Sequence, residues 1–350
     1  MAYVPHFSIT PTLLAHAEHI AALRERIHAH AVDFARLAAL QSDARARNVH
    51  ASTAIEGNPL SLEQVLTLAS GQPLPRPGAR SLAAHERAQR EVTHCFAALA
   101  YVEQNAALET VRHDDVLALH AVLADGVMDQ GEAGRYRIIN VRVGDPFPPP
   151  PPPPDAVSGL MFELLEWWNG AAKTLSPVIS SAILHHRFET IHPFADGNGR
   201  TGRALALWEL YRRGFDAHRL FATDEFFWED RPRYYAELAA VRDAGDDLTA
   251  WLEYCAEGLR GTLERAWLRL QSAQAAANAP AQKLALRPRQ QQLLHLLRER
   301  GHLAPNEIWT ELSISRQGAM DLLRPLIEAG LIEKVGGAKT GHYVLKTNQS

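Results

Sequence analysis

The sequence predicts a mainly α-helical protein with a short β-hairpin in its middle and a small separate domain at its C-terminus. Apolar residues recur at helical spacing along most of the chain, one internal segment alternates as a strand does, and the residues after 285 follow an order of their own. The chain has 350 residues, enough for two or three folding units. Its net charge of -4 argues against a protein that coats nucleic acid through overall positive charge.

The N-terminal part is predicted to be helical. Apolar residues keep helical spacing from about Pro11 to Ala51, and a second helical run covers about Ser81 to Val102. Between them, glycines and prolines from Gly71 to Gly78 interrupt the pattern. We assign residues 1–105 to an N-terminal helical region.

The middle of the chain contains the only clear strand signal before the C-terminal region. Residues Tyr136 to Gly144 alternate and predict a short hairpin, and the prolines Pro148 to Pro154 predict a stiff polyproline II spacer after it. Helical patterns then follow at Met161 to Trp168, Pro177 to Ile191 and Arg200 to Arg213, and a further run reaches about Gln271. We assign residues 106–270 to the core and 271–285, rich in small and polar residues, to a linker.

The C-terminal segment 286–350 reads as a winged helix-turn-helix. Three helical patterns precede two short strands, and these elements are predicted at Arg289 to Glu299, Pro305 to Leu312, Ser315 to Ala329, Ile332 to Val335 and Tyr343 to Leu345. Pro325 should kink or shorten the third helix. DNA binding and protein–protein contact both fit this module, although nine Lys and Arg against six Asp and Glu from Leu286 onward is a weak basic excess.

Cysteine usage and hydropathy predict a cytoplasmic protein. Cys95 and Cys255 lie far apart without metal-type spacing, so we interpret them as buried side chains in a reducing compartment. The first residues lack the pattern of a signal peptide, and no segment approaches the roughly 20 apolar residues that span a bilayer. We therefore expect no membrane partner.

The segment His192 to Arg203 carries the chemistry that nucleotidyl transfer requires. His192 can accept a proton near neutral pH, and Asp196 is the hard oxygen ligand that Mg²⁺ prefers. Gly197 and Gly199 let the backbone turn and present N–H groups to an anion at a helix N-terminus. Arg200 and Arg203, three residues apart, share one helical face and can hold neighbouring phosphates.

The same segment, His-Pro-Phe-Ala-Asp-Gly-Asn-Gly-Arg-Thr-Gly-Arg, resembles the Fic-domain pattern at every fixed position. The resemblance implies a protein adenylyltransferase that transfers AMP from ATP to Ser, Thr or Tyr hydroxyls of a protein target, with itself as one candidate target. It implies His192 as the base and Asp196 as the Mg²⁺ ligand. The phosphate-binding set that it implies is Gly197, Asn198, Gly199, Arg200, Gly202 and Arg203.

Two further segments resemble parts of that family. The predicted hairpin lies where the family places a flap that aligns the target peptide, which implies Arg137, Val141 and Val143 as docking residues. Ser52-Thr53-Ala54-Ile55-Glu56-Gly57 matches the inhibitory motif of the class with an N-terminal inhibitory helix. Ser52 and Glu56 share a helical face, Gly57 is a candidate C-cap, and Glu56 could pair with Arg203.

The main alternative belongs to another class of protein. In that interpretation the Fic-like core senses a nucleotide, and segment 286–350 binds DNA as part of a transcriptional regulator. A metal hydrolase built on His185, His186 and His192 is a weaker alternative, because adjacent helical histidines point about 100° apart. A homodimer is expected under either of the first two interpretations.

Overall fold

The computed structural model divides into two compact units, residues 1–274 and 275–350. Structure is described for residues 3–32, 34–75, 78, 82–143, 150–215, 217–278, 288–312, 314–328, 331–337 and 341–346. No helix in these ranges combines the length and hydropathy needed to cross a bilayer.

The first unit is built from α-helices. Its described residues form no strand, and a single bridge joins His6 to Asp247. The helices are α1 (Pro11–Ala29), α2 (Phe34–Ile55), α3 (Leu62–Ala69), α4 (Leu82–Asn105), α5 (His113–Ala124), α6 (Pro154–Asn169), α7 (Pro177–Ile191), α8 (Asn198–Arg212), α9 (Thr223–Glu229), α10 (Arg231–Asp243) and α11 (Thr249–Asn278).

Helices α7 and α8 lie in the core of this unit. The side chains of α7 are buried on nearly all sides, from Val178 through Leu184 to Ile191, as expected of a helix enclosed by other helices. Helix α8 is also mostly buried and contributes Leu205 and Trp208 to the same core. The loop between these two helices is therefore held on a rigid base.

A buried carboxylate ties α6, α7 and α8 together. Glu209 on α8 is 1% exposed and accepts hydrogen bonds from Trp168 Nε1 on α6 and from Ser180 Oγ on α7, both at 2.6 Å. Arg213 Nη1 lies 3.3 Å from the same side chain. Because a buried carboxylate is stable only when it is paired and hydrogen-bonded, this network fixes the mutual register of the three helices.

The second unit combines three helices with a three-stranded antiparallel sheet of order β1-β3-β2. Its elements are α12 (Pro288–Arg300), β1 (His302–Leu303), α13 (Pro305–Glu311), α14 (Arg316–Glu328), β2 (Ile332–Val335) and β3 (His342–Leu345). Leu293, Ile308, Leu326 and Tyr343 belong to its separate apolar core. The order agrees with the predicted one, with β1 added, and Pro325 lies inside α14 without ending it.

Several predicted boundaries differ from the structure. Helix α11 continues to Asn278 through the first half of the predicted linker, and residues 279–285 lie outside the described ranges. Helix α6 begins at Pro154, earlier than the predicted start at Met161. Pro153 has φ -63° and ψ 154°, which is polyproline II geometry, whereas Pro148 and Pro149 are outside the described residues.

The predicted hairpin between Tyr136 and Gly144 is wrong for the part that is described. Residues 136–143 form no strand, and Gly144 lies outside the described ranges. The physical reason is that the backbone of this segment forms a hydrogen bond to another part of the chain: the Arg137 N–H donates to the Pro193 carbonyl at 2.9 Å. An isolated two-stranded hairpin is marginal in water, so alternation alone does not secure pairing.

We predict that Glu209→Ala lowers the free energy of unfolding by about 3 kcal/mol, because Trp168 Nε1 and the Ser180 hydroxyl then lack their buried acceptor. Urea denaturation followed by circular dichroism measures this change. Glu86→Ala, at an exposed position of α4, is the control and should change stability by less than about 0.5 kcal/mol. A loss below about 1 kcal/mol in Glu209→Ala would contradict the role of the network.

Candidate active site

The loop from His192 to Gly197 joins α7 to α8, and its first and last residues have left-handed backbone conformations. His192 has φ 50° and ψ 59°, and Gly197 has φ 77° and ψ 9°. Pro193 disfavours a right-handed helical conformation at the residue before it, which ends α7. A left-handed conformation costs a non-glycine residue about 1–2 kcal/mol, so the contacts around His192 must hold it there.

Asn198 closes this loop on itself. Its Oδ1 accepts the Phe194 N–H and its Nδ2 donates to the Phe194 carbonyl, both at 2.9 Å. The side chain is buried. Both polar atoms of the side chain bond to Phe194, so Asn198 shapes the loop that presents the backbone amides. The phosphate-binding role that the resemblance implies for Asn198 stays a prediction.

His120 on α5 supports the loop, a role that no motif in the sequence indicates. Its ring stacks on Phe194 with centroids 3.6 Å apart. Gly134 N–H donates to Nδ1 at 2.9 Å, so Nε2 carries the ring hydrogen and donates to the Asp196 carbonyl at 2.9 Å. Burial lowers the pKa of His120 to about 4, in keeping with a neutral ring.

The His192 imidazole sits in a largely buried position beside Glu189. Its Nδ1 is buried without a hydrogen-bond partner among the described residues, and Glu189 Oε2 lies 3.9 Å away. The pKa of His192 is lowered to about 4, mainly by burial; Arg137 also lowers it, whereas the Glu189 backbone and the Glu56 and Asp196 carboxylates oppose the shift. The ring is therefore neutral at pH 7 and can act as a base.

Glu189 carries a largely buried carboxyl group that no sequence motif indicated: its side chain is 15% exposed, and Oε1 is buried. Burial raises its pKa to about 8; Glu56 raises it as well, and Arg203 opposes the shift. A methyl group at Gly202 would lie 2.3 Å from Glu189 Oε1, so Gly202 is needed for close packing of α7 against α8. This contact gives Gly202 a packing role, and the phosphate contact that the resemblance implies stays a prediction.

The start of α8 presents groups that favour an anion. The first N–H groups of a helix have no partner within the helix and carry the positive end of its dipole. Arg200 is buried, and its Nε and Nη1 have no hydrogen-bond partner among the described residues; Nη2 lies 3.8 Å from Asp196 Oδ1. A buried guanidinium with free donors is suited to phosphate oxygens.

Glu56 places a carboxylate at this same position. Its Oε1 accepts a hydrogen bond from Arg203 Nη2 at 2.9 Å, and a methyl group at Gly199 would lie 2.3 Å from that oxygen. Ser52 accepts from Arg203 through its hydroxyl at 3.1 Å and its carbonyl at 2.8 Å. Gly57, with φ 92°, is the second residue after the end of α2 and lets the chain turn away.

Arg203 has a second acidic neighbour that the sequence did not indicate. Asp224 Oδ2 lies 3.4 Å from Arg203 Nε, and Asp224 is 3% exposed. Burial by itself would lower the pKa of Arg203, but Glu56 and Asp224 raise it overall, so the guanidinium stays charged. Two carboxylates and Ser52 thus hold one buried charge.

Asp196 suits a divalent cation that is shared with a nucleotide. Its Oδ1 accepts the Gly197 N–H at 2.6 Å, and its side chain is 34% exposed. Nowhere in the described ranges do three or more His, Cys, Asp or Glu side chains form a metal-binding group. Mg²⁺ is commonly held by one or two carboxylates together with phosphate oxygens and water, so a lone Asp196 fits this pattern.

The residues predicted to dock a target do not share one environment. Val143 is 37% exposed and Val141 is partly exposed, so both can meet a partner. Arg137 is 4% exposed and its guanidinium bonds to backbone carbonyls, so its side chain cannot dock a target. The most exposed apolar residue in the described part of this stretch is Ile138, at 90%.

Residues 110–210 match the model of the Fic/DOC family. The chain carries a Fic domain. The matched segment includes the whole His192 to Arg203 loop and helix start, and both α7 and α8. His120 and Arg137, which support the loop, also lie within the Fic domain.

Named relatives resemble the Fic domain and its surroundings. "Protein adenylyltransferase fic-1" of Caenorhabditis elegans is 34% identical over 224 residues, which are 62% of this chain and 40% of that protein. "Protein adenylyltransferase Fic" of Nematostella vectensis is 32% identical over 221 residues, 62% of this chain and 48% of that protein. The chain thus spans less than half the length of these curated relatives.

Solved structures of Fic proteins have the same fold. A Fic family protein from Desulfovibrio desulfuricans aligns with a TM-score of 0.66 and 28% identity, over 99% of this chain and 100% of that one. A fragment of Caenorhabditis elegans Fic-1 aligns with a TM-score of 0.62 and 27% identity, over 75% of this chain and 73% of that one.

The raised pKa of Glu189 predicts a specific dependence of stability on pH. The folded state keeps a proton that the unfolded state loses above pH 4.5, so this contribution to stability is complete below that pH and is lost as the pH rises through about 8. Glu189→Gln should therefore lose less stability than the wild type between pH 5 and pH 8.5. Thermal unfolding at both pH values measures this, with exposed Glu86→Gln as control; equal losses in all three proteins would count against the assignment.

Proposed function

We propose that the Fic domain transfers AMP from ATP to a Ser, Thr or Tyr hydroxyl of a protein target, and that Glu56 inhibits this reaction. The resemblance of the chain to proteins named adenylyltransferases supports the activity. The donor nucleotide, the target and self-modification belong to the proposal.

The observation that carries the proposal is the position of the Glu56 carboxylate at the start of α8. Glu56 lies against the backbone at Gly199, at the positive end of α8, and bonds to Arg203. This position stabilises a negatively charged group of the chain itself, so a phosphate group can occupy it when Glu56 leaves.

The proposed reaction uses groups that the loop brings together. Because Nδ1 of His192 is buried, Nε2 is the nitrogen that would take the proton from the attacking hydroxyl. The hydroxyl oxygen forms a bond to the α-phosphorus, the bond from that phosphorus to the β-phosphate oxygen breaks, and pyrophosphate leaves. Arg200, Arg203 and the first amides of α8 hold the phosphate oxygens and stabilise the charge on the leaving group.

A divalent cation, expected to be Mg²⁺, would be held by Asp196. When bound, it supplies neutralisation of phosphate charge. The exposed part of the Asp196 carboxylate is the place where the cation and nucleotide would meet.

Inhibition follows from competition for one guanidinium. Glu56 occupies Arg203 Nη2, which the terminal phosphate would otherwise engage, and its negative charge would repel that phosphate. Ser52 accepts hydrogen bonds from Nε and Nη2 of the same guanidinium. Nucleotide can then bind in a reactive arrangement only after the end of α2 releases Arg203.

Glu56→Gly should raise the rate of AMP transfer about ten- to a hundredfold, because it removes one charge-assisted hydrogen bond of about 1.5–3 kcal/mol from the anion site. Intact mass after incubation with Mg²⁺ and each nucleoside triphosphate measures the added nucleotide and identifies the donor. Glu86→Gly is the matched control and should keep the wild-type rate.

The double variant Glu56→Gly/His192→Ala should transfer AMP about 10²–10⁴-fold more slowly than Glu56→Gly, because the base is gone while the phosphate site remains. No mass addition for Glu56→Gly with any triphosphate would refute the proposed activity. Equal rates for Glu56→Gly and the wild type would refute inhibition alone.

The competing proposal of a DNA-binding regulator depends on α14. Gln317, at the N-terminal end of α14, donates to Asp321 at 3.2 Å, and the exposed face of α14 carries Met320 and Ile327. This mixed face suits contact with protein, including a second copy of the chain. We expect no salt-dependent gel shift with the full-length chain; a sharp shift that survives His192→Ala would favour the regulator instead.

A further inference from the structure

Arg137 makes an unusual set of contacts for a buried cation. Its Nε donates to the His192 carbonyl at 2.7 Å, its Nη1 to the Ile139 carbonyl at 3.1 Å, and its Nη2 to the carbonyls of Pro152 and, at 3.4 Å, Ile191. Its backbone N–H donates to Pro193. One residue therefore joins the solvent-facing loop, the proline segment and the catalytic loop.

The charge of Arg137 is balanced by carbonyl dipoles. Within the described residues no carboxylate pairs with it, and its side chain is buried. Ile191 and His192 are the last residues of α7 and its cap, where free carbonyls form the negative end of the helix dipole. Arg137 thus satisfies carbonyls that α7 cannot satisfy itself.

The same contacts hold His192 in its strained conformation. The carbonyls of His192 and Pro193 belong to the two peptide groups that follow the base, and both accept hydrogen bonds from Arg137. With φ 50°, His192 would relax to a more ordinary conformation if these bonds were lost. The direction in which the imidazole points depends on this backbone conformation.

We propose that Arg137 is a positioning residue that fixes the orientation of His192 and connects it to the exposed loop at Ile138. This inference rests on the proposed function, in which His192 is the base. Arg137 touches neither the anion site at α8 nor Asp196 in the contacts described here, so it acts through His192. A target that contacts Ile138 would displace the residue next to Arg137 and, through Arg137, the His192 base.

The charge of Arg137 provides a second effect that a purely structural residue would not have. Burial lowers the pKa of His192 and Arg137 lowers it further, whereas Glu189, Glu56 and Asp196 raise it. A neutral side chain at position 137 should therefore raise the pKa of His192 toward its ordinary value. A lysine there keeps the charge but lacks the planar fork that reaches several carbonyls.

The test compares Arg137→Gln and Arg137→Lys, each in the Glu56→Gly protein. Both should lower kcat for AMP transfer about ten- to a hundredfold, because a misplaced base is inefficient, while KM for ATP changes less than about threefold. The acidic limb of the pH–rate profile should move to higher pH in Arg137→Gln and stay in place in Arg137→Lys. Proton NMR titration of the His192 ring should show the same difference without reference to activity.

Arg135→Gln is the matched control, since Arg135 is 74% exposed and pairs with Glu132; its kcat and pH profile should match those of Glu56→Gly. Thermal unfolding reports whether each variant folds, and if Arg137→Gln does not, the kcat and KM of Arg137→Lys decide. An unchanged kcat in Arg137→Lys would overturn the inference. So would a folded Arg137→Gln protein whose acidic limb and His192 titration match those of the Glu56→Gly parent. An inactive Glu56→Gly parent would instead refute the proposed function.

Discussion

The site depends on one buried positive charge that must have an anion beside it. Arg203 is 3% exposed, and Ser52, Glu56 and Asp224 surround its guanidinium. Removing a single partner from a buried ion pair is costly because the remaining charge stays desolvated. This need links α2 to α8 across 147 residues of sequence and makes Glu56 and a phosphate rivals for one place.

The catalytic loop depends on a different constraint, the satisfaction of its backbone. Asn198 bonds to Phe194, His120 to Asp196 and Gly134, and Arg137 to the end of α7. Polar groups of a loop this deeply placed must have partners, so side chains supply them. The segment from His192 to Arg203 therefore contains residues that determine the shape of the loop as well as the residues proposed to bind phosphate.

Local signals explain which elements were predictable. Helix α7 begins at a proline and ends at His192-Pro193, and its predicted bounds agree with the structure. Helix α3 was missed although Ser61 and Gln64 form a capping box that was readable in the sequence. The hairpin was predicted from alternation alone, which does not reveal that Arg137 N–H bonds to Pro193.

By itself the sequence determined the mainly helical fold, the loop from His192 to Gly197 and the acidic motif at Glu56, because these depend on spacing between near neighbours in the chain. Only the tertiary structure decided that Arg137 faces inward, that His120 supports the loop, and that Glu189 and Asp224 lie beside His192 and Arg203. Such roles depend on burial and on partners far along the chain. A local sequence pattern encodes neither the burial of a side chain nor its distant partners, because both arise only when the helices pack.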